Sequence, residues 1–307
     1  MSKTVLIATD KPFAKAAVDG IRNVLDAAGY RLALLEGYTN PQALRDAVAD
    51  VDAMIVRSDL VSADVLAAAK NLKIVVRAGA GYDNVDCAAA TATNVVVMNT
   101  PGQNANAVAE LAFGLMLQLA RKKYTGKAGT ELRGKTIGIH AFGAVGRCVA
   151  TIAKGFGMRI VAHDPFISPD AIARLGVEVV DSVEALYSQS DYLSLHIPAN
   201  DKTKNSIGHA LLSQMPKGAM LVNTARKEVI DEAGLVQVMK EREDFRYATD
   251  VMPACDAELK SFADERYFAT AKKMGAQTAE ANIQAGIAAA NQIVAFFEKG
   301  DLTFKVN

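Results

Sequence analysis

The sequence predicts an α/β fold with two doubly wound parallel-sheet domains, on three observations. Short β-branched runs alternate with longer amphipathic segments over the first hundred residues. A second series of the same kind begins at Lys135. Strand and helix alternating along a chain imply parallel strands with helices on both faces. The 307 residues, half of them hydrophobic, are more than one core usually serves, so two domains are expected.

In the first series Val5–Ala8, Met54–Val56, Ile74–Val76 and Val95–Met98 read as buried strands. Phe13–Ala28, Pro41–Ala49 and Ser62–Lys70 read as the helices between them, with Ser62 as an N-cap and Gly29 as a helix stop. An apolar stretch from Asn104 to Arg121 reads as a buried helix, and a polar, glycine-containing segment follows it. The strands of the second series are Thr136–His140, Arg159–Ala162, Tyr192–His196, Ala219–Asn223 and Tyr247–Asp250. After Gly275 the chain is alanine-rich, with Ile283, Ile287, Ile293 and Val294 near helical spacing. This last helix is expected to pack back on the first domain.

Composition narrows the function classes. The 34 basic and 34 acidic residues cancel, which gives no bulk electrostatic reason to bind nucleic acid or a membrane surface. Cys87, Cys148 and Cys255 lie far apart, so neither a zinc site nor a disulfide framework is suggested. No metal is expected. Isolated thiols, a first apolar run too short for a secretory signal and no apolar stretch of about 18 residues make a cytoplasmic location the expectation.

Residues 136–164 carry the most specific signal. A strand ends at His140, Ala141-Phe142-Gly143-Ala144-Val145-Gly146 follows, then a helix, then a strand ending at Asp164. This is the βαβ dinucleotide fingerprint with alanine at its first glycine position. Gly143 lets the backbone approach a pyrophosphate, and Gly146 allows close helix–strand packing. Amides at the helix N-terminus favour the phosphates. Asp164 is expected to accept hydrogen bonds from the adenosine ribose. Glycines at a tight turn are also explained by the turn alone; the acidic strand end at this spacing favours the cofactor. No basic residue follows Asp164 in Pro165-Phe166-Ile167, so NAD is expected rather than NADP.

With these residues in view, the sequence resembles the D-2-hydroxyacid dehydrogenase family, and within it the short D-3-phosphoglycerate dehydrogenases. The resemblance covers nearly the whole chain. It rests on Val56-Arg57-Ser58, residues 76–86 (Val-Arg-Ala-Gly-Ala-Gly-Tyr-Asp-Asn-Val-Asp), residues 98–104 (Met-Asn-Thr-Pro-Gly-Gln-Asn), the cofactor motif, residues 221–226 (Leu-Val-Asn-Thr-Ala-Arg), Ala248-Thr249-Asp250-Val251, and residues 274–278 (Met-Gly-Ala-Gln-Thr). It implies a Rossmann-type NAD domain (101–281) inserted into a flavodoxin-like substrate domain (1–100 and 282–307). It also implies a homodimer, and a small 2-hydroxy or 2-keto acid as substrate. The end of the chain at Asn307 carries the further expectation that serine does not inhibit through a C-terminal regulatory domain.

Carried over residue by residue, the resemblance makes Arg226 the substrate-binding arginine, whose planar fork suits a carboxylate and the 2-oxygen. Asp250 matches the strand-end acid that faces the nicotinamide. Phe142, Gly143, Ala144, Val145, Gly146, Asp164, His196, Thr224, Ala225, Arg226 and Asp250 line the cofactor. A satisfied core histidine is the bland reading of His196. Arg57 and Arg77 are candidates for a phosphate, with Ser58, and the turn at Ala78 and Gly79 offers amides to a carboxylate. Solvated arginines are the plain alternative.

Two departures stand out. The family's usual catalytic histidine aligns with Lys273, preceded by Lys272, and its usual glutamate partner with Cys255. A lysine starts near pKa 10.4 and must fall towards neutrality to accept a proton. Loss of the glutamate, burial of the amine and the nearby Arg226 all act in that direction. Asp256 or Glu258 within reach would oppose it. The expected activity is NAD-dependent oxidation of 3-phospho-D-glycerate by Arg226, Lys273 and Asp250. Glyoxylate or hydroxypyruvate reduction is the second reading, and an NAD-sensing protein with lost catalysis the third.

Overall fold

The computed structural model describes residues 2–262 and 265–307. The chain divides into two compact units, Met1–Asn104 with Gln277–Asn307, and Ala105–Ala276. The sequence reading sets these boundaries at 100/101 and 281/282.

The first unit carries β1 (Thr4–Thr9), β2 (Arg31–Glu36), β3 (Ala53–Val56), β4 (Ile74–Arg77) and β5 (Val96–Asn99). All pair in parallel in the order β2-β1-β3-β4-β5. This is the flavodoxin-like order, whose direction switches between β1 and β3. Every residue of β1 and β3 is buried, because helices cover both faces and the strands become continuous apolar runs. The Lys15–Ala27 and Ala279–Lys299 helices cover one face and pack on each other. Glycines permit their close approach: a Cβ on Gly20 would lie 2.7 Å from Ile287, and one on Gly286 would lie 2.9 Å from Ile21. Helices Pro41–Val48, Ala63–Ala68 and Cys87–Ala92 cover the other face.

Two elements here are absent from the sequence reading, β2 and the Cys87–Ala92 helix. The edge strand β2 reads Arg-Leu-Ala-Leu-Leu-Glu, without a β-branched residue, and none of its residues is buried. Ser62 stands at the expected N-cap, but its side chain makes no capping bond. The backbone bond from Leu66 N to Ser62 O closes that turn. Gly29, at φ 72°, ends the first helix as expected.

The second unit carries β6 (Thr136–His140), β7 (Arg159–His163), β8 (Glu178–Val179), β9 (Tyr192–Leu195), β10 (Met220–Asn223), β11 (Arg246–Thr249) and β12 (Tyr267–Ala269). Their order is β12-β11-β10-β9-β6-β7-β8, all parallel. This is the Rossmann order with one added edge strand, and its switch point lies between β6 and β9. The Ala105–Ala120 and Ala144–Gly155 helices pack on one face around Phe113, Met116 and Val149. Val183–Gln189 and Glu232–Glu241 pack on the other, around Leu186, Leu235 and Met239. The unread strands β8 and β12 have two and three residues, too few to show a period. Among the described residues, no helix is long and apolar enough to cross a membrane.

Candidate functional site

In the second unit, β6 ends at His140 and the chain turns through Ala141 into the Ala144–Gly155 helix. A Cβ on Gly146 would lie 2.5 Å from the Ala141 carbonyl oxygen, so only glycine lets the helix sit on the turn. Gly143 differs: at φ −70° its backbone does not require glycine, and a Cβ there would meet nothing within 4 Å. The space it leaves lies before the helix N-terminus, a cradle that fits a pyrophosphate. One residue beyond β7, Asp164 accepts the Phe142 amide on Oδ2 (2.7 Å) and the Phe166 amide on Oδ1 (2.8 Å). Each carboxylate oxygen keeps a second lone pair for a ribose hydroxyl.

Two histidines flank the β6/β9 switch point. The His196 amide donates to the His140 carbonyl at 2.9 Å. His140 is buried, with Nδ1 3.2 Å from the Tyr187 hydroxyl. Burial pushes its pKa down to about 4, helped by His163 and opposed by Asp164. Burial and then His140 push His196 down to about 3. Its Nε2 lies 2.9 Å from Ser194 Oγ. Both rings are therefore neutral near pH 7, which suits His196 to lining a site better than to accepting a proton.

The strand β10 ends at buried Asn223, whose side chain builds the next turn. Its Oδ1 accepts the Ala225 amide (3.0 Å) and its Nδ2 donates to the Arg226 carbonyl (2.9 Å). Arg226 is thereby held half-buried, with one guanidinium nitrogen donating to the Ala225 carbonyl (2.9 Å). Asp250 follows β11 and is 1 % exposed. Its Oδ2 accepts the amides of Met274 (3.1 Å) and Gly275 (2.7 Å), which tethers the segment just after Lys273. A Cβ on Gly275 would lie 3.1 Å from that oxygen. Burial raises the Asp250 carboxyl pKa; the two amides and the charges of Lys273 and Arg226 oppose it. The fold thus brings Arg226, Asp250 and Lys273 together. Asp250 Oδ1 and Thr224 Oγ1 are buried without a hydrogen-bond partner among the described residues. Such orphaned atoms suit the amide of a bound nicotinamide.

Some expectations change. Lys273 is exposed, so the chain itself does not supply the burial expected to activate it. Lys272 is exposed too, and its carbonyl accepts the Thr270 hydroxyl at 2.7 Å. The Cys255 thiol is pushed up to about 12, by burial first and then by Glu232. The Glu232 carboxylate also accepts the amides of Ala254 (2.9 Å) and Cys255 (2.8 Å). Asp256 pairs with Lys260 at 2.7 Å and Glu258 with Lys240 at 2.6 Å, so both acids have other cationic partners.

In the first unit, Arg57 and Arg77 stand at the carboxyl ends of β3 and β4. Arg57 donates to the Lys11 carbonyl (3.1 Å) and to Asn282 Oδ1 (2.7 Å), and lies 5.1 Å from the centre of the Phe13 ring. Burial lowers its pKa, while Asp59 and Asp10 oppose that shift. Arg77 Nε donates to the Arg57 carbonyl at 3.0 Å. Its guanidinium lies over Gly79, whose φ of 146° and lack of a Cβ make room for it. Ser58 Oγ is 3.4 Å from Asp10 Oδ1. Ala78 cannot offer its amide to a ligand as expected, because it donates to the Val56 carbonyl at 2.8 Å.

Three participants escape the sequence reading. Asn282 is 225 positions from Arg57 and carries no local signal. Buried Asp59 holds the Asp10 amide and the Tyr38 hydroxyl, each at 2.7 Å. Asn223 lies inside a motif already singled out, and an asparagine ending a strand before a turn was the available cue. Among the described residues no cluster of three or more His, Cys, Asp or Glu side chains is placed to hold a metal.

Comparison with known proteins agrees with this layout. Residues 107–270 match the family described as "D-isomer specific 2-hydroxyacid dehydrogenase, NAD binding domain". A hydroxypyruvate reductase of Thermotoga maritima is 40% identical over 258 residues, 78% of this chain and 83% of that one. A D-3-phosphoglycerate dehydrogenase of Methanocaldococcus jannaschii is 37% identical over 269 residues, 82% of this chain; this chain spans about half of that relative, 51%. The crystal structure of NAD+-bound 3-phosphoglycerate dehydrogenase from Entamoeba histolytica is 45% identical with a TM-score of 0.88, covering 100% of this chain and 99% of the other.

Proposed function

We propose that this chain, which belongs to the NAD-dependent D-2-hydroxyacid dehydrogenase family, oxidises 3-phospho-D-glycerate at C2 to 3-phosphohydroxypyruvate, the entry step of serine synthesis. The observation that carries the choice of substrate is the Arg57–Arg77 pair at neighbouring strand ends. Two adjacent cations suit a phosphate better than an uncharged tail. Relatives named D-3-phosphoglycerate dehydrogenase support the same choice.

On this reading the first unit is the substrate domain. Arg57 and Arg77 take the phosphate, beside Ser58 and Gly79. Arg226 holds the carboxylate and the 2-oxygen, and its positive charge favours the polarised carbonyl. Lys273 takes the 2-hydroxyl proton, and bound ligands supply the burial that the free chain lacks. NAD, when bound, supplies the hydride acceptor. Phe142 to Gly146, with Asp164, His196, Thr224 and Ala225, would hold it, and Asp250 Oδ1 would accept from its carboxamide. Asp250 Oδ2 meanwhile keeps Lys273 in place through the amides that follow it. The chain acts as a homodimer in the cytoplasm.

A second reading, reduction of hydroxypyruvate, is favoured by the Thermotoga maritima relative, of whose length this chain spans 83%. One panel separates the two: NADH formation from 3-phosphoglycerate and D-glycerate, and NADH consumption with hydroxypyruvate and glyoxylate, each repeated with the NADP couple. The expected result is highest kcat/KM with 3-phosphoglycerate and NAD. Preference for hydroxypyruvate supports the second reading, and cofactor binding without turnover of any substrate overturns both.

A further inference from the structure

We propose that Asp164 is a positioning residue that builds the dinucleotide turn before any cofactor arrives, in addition to facing the adenosine ribose. Ala141 occupies the first glycine position of the fingerprint, yet its φ is 76°. An alanine Cβ crowds the backbone there, and the conformation persists only where surrounding bonds over-determine it.

Those bonds are few and identifiable. The Ala141 amide donates to the His163 carbonyl at 3.0 Å. The next amide, that of Phe142, donates to Asp164 Oδ2 at 2.7 Å, and the Phe142 ring is fully buried. The other oxygen of the same carboxylate holds the Phe166 amide at 2.8 Å. One carboxylate therefore ties the turn after β6 to the turn after β7. Bonds to an ionised acceptor are roughly twice as strong as neutral ones. The Ala141 carbonyl sits where a Cβ on Gly146 would come within 2.5 Å, so relaxation of Ala141 also disturbs the helix start that offers its amides to phosphate.

The consequence concerns cofactor choice. If Asp164 only repelled a 2′-phosphate, its removal would relax the preference for NAD over NADP. Because it also supports the turn that both dinucleotides need, its removal costs both.

The test uses the full chain without cofactor. Hydrogen exchange over residues 140–146 and Tm are measured for wild type, Asp164→Ala, Ala141→Gly and the double variant, with NADH and NADPH affinities alongside. Asp164→Ala is expected to raise exchange over 140–146 and lower Tm by about 2–4 °C. It should weaken NADH about tenfold or more, without bringing NADPH to the wild-type NADH affinity. Ala141→Gly should recover more Tm and protection in the Asp164→Ala background than it adds to wild type. Unchanged exchange and Tm in cofactor-free Asp164→Ala, or equal effects of Ala141→Gly in both backgrounds, overturns the proposal. Should Asp164→Ala not fold, Asp164→Asn carries the test: with one acceptor oxygen for two amides, it should raise exchange over 140–146 or 164–168. Unchanged exchange over both segments overturns the proposal equally.

Discussion

The two switch points of this chain hold their charges differently. At β6/β9, Asp164 directs its carboxylate to two backbone amides, and burial keeps His140 and His196 neutral. At β1/β3, Arg57 donates to a carbonyl and an amide oxygen, both uncharged, while Asp59 and Asp10 act on its charge through space. The difference separates shape from charge. A dinucleotide turn recognises its ligand through fixed amides and close backbone approach, so its side chains hold the backbone still. A site for an anion works through charge instead, and depends on cations whose positive field reaches the ligand.

Arg226, after β10, adds charge to the unit whose other switch-point groups are neutral or amide-bound, and its loss should have a large effect. Arg226→Ala should reduce kcat about 10²–10³-fold, the range for loss of one donor to a developing oxyanion, and raise KM as well. A change in KM alone would limit Arg226 to binding.

Buried His140 sets the next effect. An unfolded chain protonates it near 6.5, the folded chain only at about 4. The unfolded state therefore binds more protons between these values, and stability is lost as pH falls through that window, by about 3 kcal/mol from this residue. Denaturant titrations from pH 7 to 4.5 should show a steep acid loss that His140→Gln flattens. An unchanged slope in the variant would place the acid sensitivity elsewhere.

At the other switch point, Arg57→Ala and Arg77→Ala should each weaken 3-phosphoglycerate by roughly tenfold to a hundredfold, the range for a charged hydrogen bond of about 1.5–3 kcal/mol. An unphosphorylated 2-hydroxy acid should lose less. Equal losses for both would remove the pair from the phosphate site.

How much of this was legible in the sequence follows the range of each interaction. Both sheets were legible because doubly covered parallel strands read as apolar runs, as in β1 and β3. The cofactor turn was legible because its parts lie within 30 residues and have fixed spacing. The edge strand β2 was not, since edge positions place little demand on residue type. Nor was the bond from Arg57 to Asn282: the return of the last helix was expected, but no local signal marks which of its residues meets Arg57. Lys273 shows a third case: its alignment was readable, but its exposure depends on how residues 270–276 are tethered by Asp250.

That lysine is also where the account is most directly tested. Turnover of 3-phosphoglycerate across pH should be compared between wild type and Lys273→Ala, with Lys272→Ala as the neighbouring control and NADH affinity measured for each. A fall of about 10²–10⁴-fold is predicted for Lys273→Ala, the usual contribution of a general base, with a changed pH profile and little change in NADH affinity. Lys272→Ala should do far less. Wild-type turnover and an unchanged pH profile in Lys273→Ala would contradict it.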